Sequence, residues 1–498
     1  MTIQNKSRFE QVPQQTGRLR LRAMVPLVFM MLVTLISGCT TATPNIKVPL
    51  SVPVRFSEPG QSPLPDQWWV SFEDPVLNGL MDQALVNNFS LKTAWNRLSQ
   101  AKALATSAGA DLFPALDAGV ENSQNRLFKS DQTTVDHSYS LGLTASYELD
   151  LWGRIQSSRD AAAFEAQASE QDLRATALTL SAQVAGTWYQ LVEQYGQLDI
   201  LAEQIVNNKK VLELVNLQLR TGQVGISDML QQRQLIESNQ GERDLALAQA
   251  AVLEQQLAIL LGYPPRQNVV PRVGTLIDLP PIPQLGLPAE LIQRRPDIRS
   301  AFFTVKAANS DLAAAIADRF PQLSFSANLA TTGVHTRDLF SNWLATLASN
   351  LVAPIVDGGL LKAEVDRTRA VAAEALNSYG QTILEALGEV ETALVQEQRQ
   401  RDFIVSIDKQ LTLAGQVIER LRDRYLQGSV DYQRVLDALL SFQELQRSLL
   451  TARQNLVQYR IDLCLALGTG WPLAQPEQNL SNTSPVTDKN ILLGMGFK

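Results

Sequence analysis

The chain has few side chains that commonly bind metals or act as nucleophiles. Its 498 residues include two cysteines and two histidines, which are Cys39, Cys464, His137 and His335. They are scattered along the sequence, and neither a spacing of nucleophile, base and acid nor a phosphate-binding loop accompanies them. The sequence therefore predicts no catalytic centre, no metal site and no cofactor.

Positive charge is also in short supply. Lysine and arginine number 43 against 50 aspartate and glutamate residues, which gives a formal net charge of −7 and an isoelectric point near 5.2. Proteins that bind nucleic acid carry a basic surface instead. This balance predicts no nucleic-acid partner, while an apolar share of 45% is enough to form cores.

Proline is absent from two long windows, 115–263 and 355–471. Both windows are rich in alanine, leucine, glutamine and glutamate, which favour helix. A helix over about 154–220 would be roughly 100 Å long at 1.5 Å per residue. Apolar residues repeat at seven-residue intervals in both windows, broken only by Glu397 in the second, which predicts coiled-coil packing. They are Val184, Leu191, Leu198, Ile205, Leu212 and Leu219 in the first window, and Val390, Ile404, Leu411, Ile418 and Tyr425 in the second.

The sequence contains one pattern twice. Residues 110–116 recur as 317–323, and residues 260–262 recur as 466–468, so that the offset is 207 or 206 positions. Two repeats with long proline-free arms and no catalytic cluster predict an elongated scaffold or conduit.

Each repeat also contains an alternation of period two. Residues 138–149 and 323–330 alternate apolar and polar side chains, and weaker alternation occurs at 116–120 and 343–355. Alternation of this kind is typical of strands with one apolar and one polar face. We therefore expect four strands, two in each repeat.

Two polar loops, at about 122–137 and 331–342, are expected to join the strands of each pair, and they contain His137 and His335. Strands of this length suit a membrane β-barrel, but closing one takes about eight strands or more. Open strand edges are not tolerated in lipid. Two interpretations remain: the strands form a soluble sheet, or several chains contribute their strands to one barrel.

The N-terminus has the pattern of an export signal. Three arginines at positions 18, 20 and 22 precede an apolar run at 24–33, which is too short for a comfortable membrane span. The following segment, 35–39, ends in Ser37-Gly38-Cys39 and resembles the bacterial lipobox. This resemblance implies cleavage before Cys39 and lipidation of its thiol and amine. The alternative is an ordinary signal peptide with an incidental cysteine.

Several segments together resemble the TolC-like outer-membrane efflux family, in its lipoprotein branch, from Cys39 to about residue 470. They are the lipobox, Asp66-Gln67-Trp68-Trp69, residues 147–154, residues 353–359 and residues 424–428. The resemblance implies a mainly α fold with a membrane β-barrel, in which duplicated helix–strand–strand–helix units form a trimeric twelve-stranded barrel and a long periplasmic α-helical barrel. It also implies a homotrimer in outer-membrane lipid, a periplasmic adaptor protein and an inner-membrane pump of the resistance–nodulation–division type.

The segments expected on this basis follow the chain in order. They are a lipoprotein signal peptide (1–38), a lipidated extended tether (39–69), a first efflux repeat (70–262), a proline-rich connector (263–287), a second repeat (288–468) and a C-terminal tail (469–498). Shorter helices are expected at about 76–110 and 288–318, ahead of the strands of each repeat.

The resemblance also suggests roles for individual residues. The turns between long helices are candidates for docking the adaptor, and the nearby carboxylates and their partners are candidates for a periplasmic gate. Asp437 and Arg434, three residues apart, are alternatively an ordinary helix pair. The docking candidates are Thr221, Gly222, Gln427 and Gly428, the gate candidates are Asp437, Tyr425, Arg434 and Asp228, and the strand-to-helix turns are Gly153, Gly358 and Gly359.

Three functions are compatible with these patterns. The first is the outer-membrane channel of a tripartite efflux pump, which conducts small molecules passively while the pump supplies the work. The second is the outer-membrane duct of a type I protein secretion system, and the third is a non-porous periplasmic scaffold. The sequence does not identify the cargo.

Overall fold

The computed structural model describes residues 50–58, 65–128, 133–265, 270–468 and 473. Cys39, the predicted signal peptide and nearly all of the predicted tail lie outside the described residues. The chain divides into two compact units. One contains Ala105–Ala162 and Ala307–Ala373, and the other contains the described residues before Ala105, Ala163–Lys306 and those after Ala373.

Helices account for most of the described chain. They are α1 (Pro75–Asn87), α2 (Phe89–Ala110), α3 (Arg154–Arg220), α4 (Ile226–Leu260), α5 (Pro288–Arg294), α6 (Pro296–Ala317), α7 (Leu360–Leu426) and α8 (Tyr432–Ala466). Within the described ranges, none of them is both long enough and apolar enough to cross a membrane.

The two repeats build the same long elements. α3 and α7 each have 67 residues, and α4 and α8 each have 35. The helix expected over about 154–220 begins at Arg154 and ends at Arg220, as the proline-free heptad pattern predicted. We call α3 with α4 the first hairpin, and α7 with α8 the second hairpin.

Each predicted shorter helical region is interrupted by one residue. The break falls at Asn88 between α1 and α2 and at Arg295 between α5 and α6. The Asn88 side chain accepts a hydrogen bond from Leu91 N and donates one to Leu260 O at 2.9 Å. Arg295 Nη1 donates in the same way to Ala466 O at 3.0 Å. Each repeat therefore uses this break to satisfy a carbonyl at the end of its returning helix.

The strands form one antiparallel sheet in the order β1-β2-β3-β4. They are β1 (Ala115–Phe128), β2 (Thr133–Leu149), β3 (Gln322–Gly333) and β4 (Trp343–Val352).

The first predicted loop was wrong. β1 and β2 continue through most of 122–137, and His137 lies within the ladder opposite Gln124. Polar side chains alone do not end a strand, and no glycine or proline interrupts this stretch. The second loop is confirmed, because β3 ends at Gly333 and His335 lies in the connection to β4.

Buried aromatic side chains fill part of the core of the helical unit, which is the unit that contains Ala163–Lys306. Trp68 and Trp69 are almost fully buried, and Trp68 Nε1 donates a hydrogen bond to a serine hydroxyl on α3 at 3.0 Å. Asp74 caps α1 and also accepts hydrogen bonds from Trp188 Nε1 at 2.8 Å and Tyr189 Oη at 3.2 Å. The segment that carried part of the family resemblance thus anchors the chain before α1 to the middle of α3.

A buried ion pair holds the connector between the repeats against the second hairpin. Arg460 on α8 contacts both carboxylate oxygens of Glu397 on α7, at 2.9 and 2.5 Å, and its Nη1 donates to Pro280 O at 2.8 Å. Arg401 Nη2 lies 2.8 Å from Glu397 as well. Burial opposes the charge on Glu397, but the hydrogen bonds and charges of the two arginines outweigh it and hold its pKa below the ordinary value.

Glu397→Gln should therefore destabilise the helical unit, because Arg460 would remain buried without its counter-charge. Breaking one side of a buried pair costs roughly 3–5 kcal/mol. Helical circular dichroism during heating should show an earlier transition than in the wild type. Glu364→Gln is the matched control, since Glu364 belongs to an exposed pair with Arg367. Equal transition temperatures for the two variants would contradict the assignment.

Candidate functional site

The sheet has one apolar and one polar face. Residues paired across an antiparallel ladder share a face, so the register assigns each side chain. On the polar face, Asn328 Nδ2 donates to Thr144 Oγ1 at 3.1 Å. The opposite face carries Leu116 and Val120 on β1, Leu141, Leu143 and Tyr147 on β2, Phe325 and Leu329 on β3, and Trp343, Leu347 and Leu351 on β4.

Aromatic rings lie towards both ends of the apolar face. Tyr139 and Trp343 are at one end, and Tyr147 and Phe325 are at the other. Tyr139 and Tyr147 are eight residues apart on β2, or about 27 Å at roughly 3.4 Å per residue. Because barrel strands are tilted by roughly 35–45°, this length spans about 20 Å of height, which is close to the apolar band of a transmembrane barrel, about 25 Å tall between aromatic girdles.

The sheet has two open edges in the described chain, because β1 and β4 each pair with one neighbour. An unpaired edge presents backbone N–H and C=O groups that lipid cannot satisfy. Val120 on β1 and Leu347 on β4 are more than four-fifths exposed, although both are apolar. The sheet as one chain forms it is therefore incomplete as a membrane structure.

After β2 and β4 the chain passes from strand to helix through glycines with positive φ. The φ angle is 75° at Gly153, 65° at Gly358 and 91° at Gly359, a region that L-residues with a side chain rarely adopt. Aspartates satisfy the first helical amides beside them. Asp150 accepts from Gln156 N at 2.8 Å, and Asp357 accepts from Gly359 N and Leu361 N at 2.8 and 2.9 Å.

The turns of both hairpins have the same geometry. Gly222 and Gly428 each have φ of 70°, and a Cβ placed on either would meet no atom within 4 Å. In the first turn Gln223 N donates to Gln218 O at 2.9 Å, and in the second Ser429 N donates to Arg424 O at the same distance. This is the Schellman ending of a helix. Thr221 and Gln427 are exposed beside these glycines, so both turns present small, uncovered surfaces.

The structure separates the four gate candidates into two pairs. Tyr425 Oη donates to Gln218 Oε1 at 2.7 Å, and burial followed by the charge of Asp228 raises the pKa of Tyr425. Asp228 accepts a hydrogen bond from Gly225 N at 3.2 Å at the start of α4.

The other pair is exposed on α8. Asp437 accepts a hydrogen bond from Gln433 Nε2 at 2.8 Å. Arg434 is also exposed on α8. The alternative of an ordinary helix pair between Arg434 and Asp437 stays a prediction.

Sequence reasoning missed two residues near the hairpin turns, Tyr432 and Gln232. Tyr432, at the start of α8, is 4% exposed, and its hydroxyl donates to Gln232 Oε1 at 2.6 Å. Its ring lies 5.6 Å from that of Tyr425. A usable signal existed, because Gln232 and Asn239 continue a heptad series of α4 core positions towards the tip, and a polar residue at such a position specifies its partner.

These tyrosines belong to a small core, the tip core, that is shared by the two hairpins. Its buried members are Val215 and Leu235 of the first hairpin with Tyr432 and Leu436 of the second. Burial raises the pKa of Tyr432 well above its ordinary value, so its hydroxyl stays protonated and remains a donor at physiological pH. The described residues contain no group of three or more metal-binding side chains.

Comparisons with known proteins agree with this geometry. Residues 80–263 and 287–469 match the model of a family described as outer membrane efflux protein. The chain is 34% identical over 459 residues to the pyoverdine export outer membrane protein OpmQ of Pseudomonas aeruginosa, covering 88% of this chain and 95% of OpmQ. It is 29% identical over 455 residues to the cation efflux system protein CusC of Escherichia coli K12, covering 87% and 97%.

A solved structure gives the same fold. The outer-membrane channel OprN superimposes with a TM-score of 0.81 at 26% identity, covering 86% of this chain and 99% of OprN. The likeness spans both repeats of the chain.

Proposed function

The chain belongs to the outer membrane efflux protein family, and from this premise we propose that three chains form one channel that passes small molecules out of the cell. The protein is an outer-membrane channel component of an efflux system, it has a large periplasmic portion, and it is not an enzyme. The sequence was compatible with an efflux channel, a protein-secretion duct and a scaffold, and the family favours the efflux channel. An adaptor and an inner-membrane pump are its expected partners.

The observation that carries the proposal is the four-stranded sheet with two open edges and one apolar face. Three chains would supply twelve strands, which exceeds the eight or so that a closed barrel requires. Pairing β1 of one chain with β4 of the next removes both edges at once. The same threefold arrangement would gather three first and three second hairpins into one helical conduit.

The partners are proposed from the hairpin turns. Three chains would present six turns of nearly equal geometry, built around Gly222 and Gly428. Because no atom of the described residues lies within 4 Å of a Cβ placed on either glycine, the tip of an adaptor helix can approach the backbone closely. We assign docking of the adaptor to these turns with Thr221 and Gln427, the work of transport to an inner-membrane pump of the resistance–nodulation–division type, and membrane anchoring to a lipid on Cys39.

The gate is proposed at the same end of the hairpins. Three exposed Asp437 carboxylates around a narrow aperture would repel one another and attract cations. Arg434, on the same face of α8, would moderate that charge, while Asp228 and Tyr425 act from the first and second hairpins. Opening is passive: the helix tips shift when the adaptor binds.

The proposed trimer can be tested by joining the sheet edges covalently. A chain carrying Val120→Cys and Leu347→Cys, with Cys464→Ser, should form disulfides from β1 of one chain to β4 of the next. Neighbouring β1 positions on the same face should be scanned to match the register. We expect a covalent ladder that ends at three chains on denaturing gels.

The control for this cross-linking places one cysteine at Leu143 on β2, which is an inner strand and should not cross-link. A ladder that ends at two chains, or none at any register, would contradict the threefold arrangement.

Asp437→Ala should raise single-channel conductance in planar bilayers at neutral pH, because three carboxylate side chains and the cations that they hold would no longer obstruct the narrow aperture. Glu73→Ala, at a carboxylate far from the hairpin turns in sequence, serves as the control. An unchanged current in Asp437→Ala would remove this residue from the gate.

The substrate class requires a test in cells. Deleting the gene should sensitise the bacterium to a subset of drugs, dyes, organic acids or metal salts, and restoring the intact gene should reverse this. OpmQ and CusC are named for pyoverdine and cations, so the shared architecture does not select one cargo. No change across the whole panel would contradict a role in small-molecule efflux.

A further inference from the structure

We propose that a buried chain of uncharged side chains, Tyr432–Gln232–Asn208–Gln443, joins the two hairpins of each chain and resists opening of the channel. We call this chain of hydrogen bonds the latch. The inference rests on the proposed channel function. It assigns resistance to opening to residues that are distinct from the exposed candidates Asp437 and Arg434.

The first link of the latch joins α8 to α4. Tyr432 Oη donates to Gln232 Oε1 at 2.6 Å, and Gln232 Nε2 donates to Asn208 O at 2.8 Å. Gln232 is 0% exposed, so both ends of its amide depend on these partners. Separating α8 from α4 would leave the amide oxygen without its donor inside the tip core.

The second link joins α3 and α4 to α8. Gln443 Nε2 donates to Asn208 Oδ1 at 3.0 Å, and Asn208 Nδ2 donates back to Gln443 Oε1 at 3.3 Å. Asn239 Nδ2 donates to the same oxygen at 3.1 Å. Asn208, Gln443 and Asn239 are all buried. Gln443 therefore bonds to both helices of the first hairpin.

The energetics favour an all-or-none response. A buried polar group that loses its partner carries the full desolvation penalty until water reaches it. A small movement of the second hairpin would break both links together, because each is a short, directional bond. A larger opening that admits water would satisfy the amides again. The latch thus disfavours partial separation and permits two states.

The charged surroundings of the latch are limited. Asp228 on α4 and the phenol of Tyr425 on α7 are the titratable groups whose fields act on Tyr432. Exposed Asp437 is bonded within its own helix, to Gln433. Cohesion between the hairpins around Tyr432 therefore comes from neutral hydrogen bonds and the tip core, while one turn beyond Gln443 the ion pair of Arg447 with Glu242, at 3.2 Å, also joins α8 to α4.

Tyr432→Phe tests the latch in the full-length, lipidated protein. It removes one hydroxyl and keeps the ring that packs on Tyr425. We expect the ratio of open to closed time in planar bilayers to rise about tenfold or more, since the loss of one buried bond acts in every chain.

Tyr379→Phe is the matched control for Tyr432→Phe. Tyr379 is also 4% exposed, but its hydroxyl makes no hydrogen bond to any described residue. The Tyr379→Phe variant should show the same ratio of open to closed time as the wild type.

Gln232→Met provides a second variant, in which the new side chain has a similar length, and it should also favour opening. In the double variant the two effects should add only in part, because both variants remove the Tyr432–Gln232 bond and Gln232→Met alone also removes the bond to Asn208 O. If Tyr432→Phe fails to assemble, Gln232→Met decides by the same measurement.

Thermal melting separates the latch from a merely structural role. Lower stability with an unchanged open-to-closed ratio would overturn the proposal, as would latch variants that behave like Tyr379→Phe. A wild-type protein that never conducts would instead overturn the proposed channel function.

Discussion

The hydrogen-bonding requirement of the backbone is the constraint on which the rest of this structure depends. In lipid, each strand N–H and C=O must find its partner within protein. The four strands satisfy this between neighbours, but β1 and β4 leave two open edges beside an apolar face. An outer-membrane protein with this sheet needs partner strands for both edges, and this need is the basis of the proposed association of chains. The internal duplication gives each chain two strand pairs and two helical hairpins to contribute.

The same requirement shapes the helical unit, where polar groups are buried among apolar ones. The Arg460–Glu397 pair joins α7, α8 and the connector through charge-assisted bonds. Towards the tips, Gln232, Asn208 and Gln443 are joined by neutral bonds instead. Loss of one partner of a buried ion pair strongly destabilises the folded protein. A neutral amide can exchange its partner for water at a smaller loss of free energy. The unit thus has its strongest polar bonds near the connector and more easily exchanged ones near the turns.

Function in such a protein depends on a passage and its opening rather than on a chemical site. The described chain holds no metal-binding cluster, and family relatives with the same architecture are named for different cargoes. The shared architecture therefore does not by itself identify the substrate. The features that belong to this chain are the edges that it must pair, the turns that it presents and the bonds that hold its hairpins together.

The sequence by itself determined the elements, because their signals are local. Absence of proline and a seven-residue repeat set α3 and α7, alternation of period two set the strand faces, and glycines set the turns. It could not set the extent of β1 and β2, where polarity indicated a loop although the ladder continues. Nor could it pair Tyr432 with Gln232, which is 200 positions away in sequence. Such partners are decided only when the helices pack, because a buried polar side chain is satisfied by whichever group the tertiary structure brings within hydrogen-bonding distance.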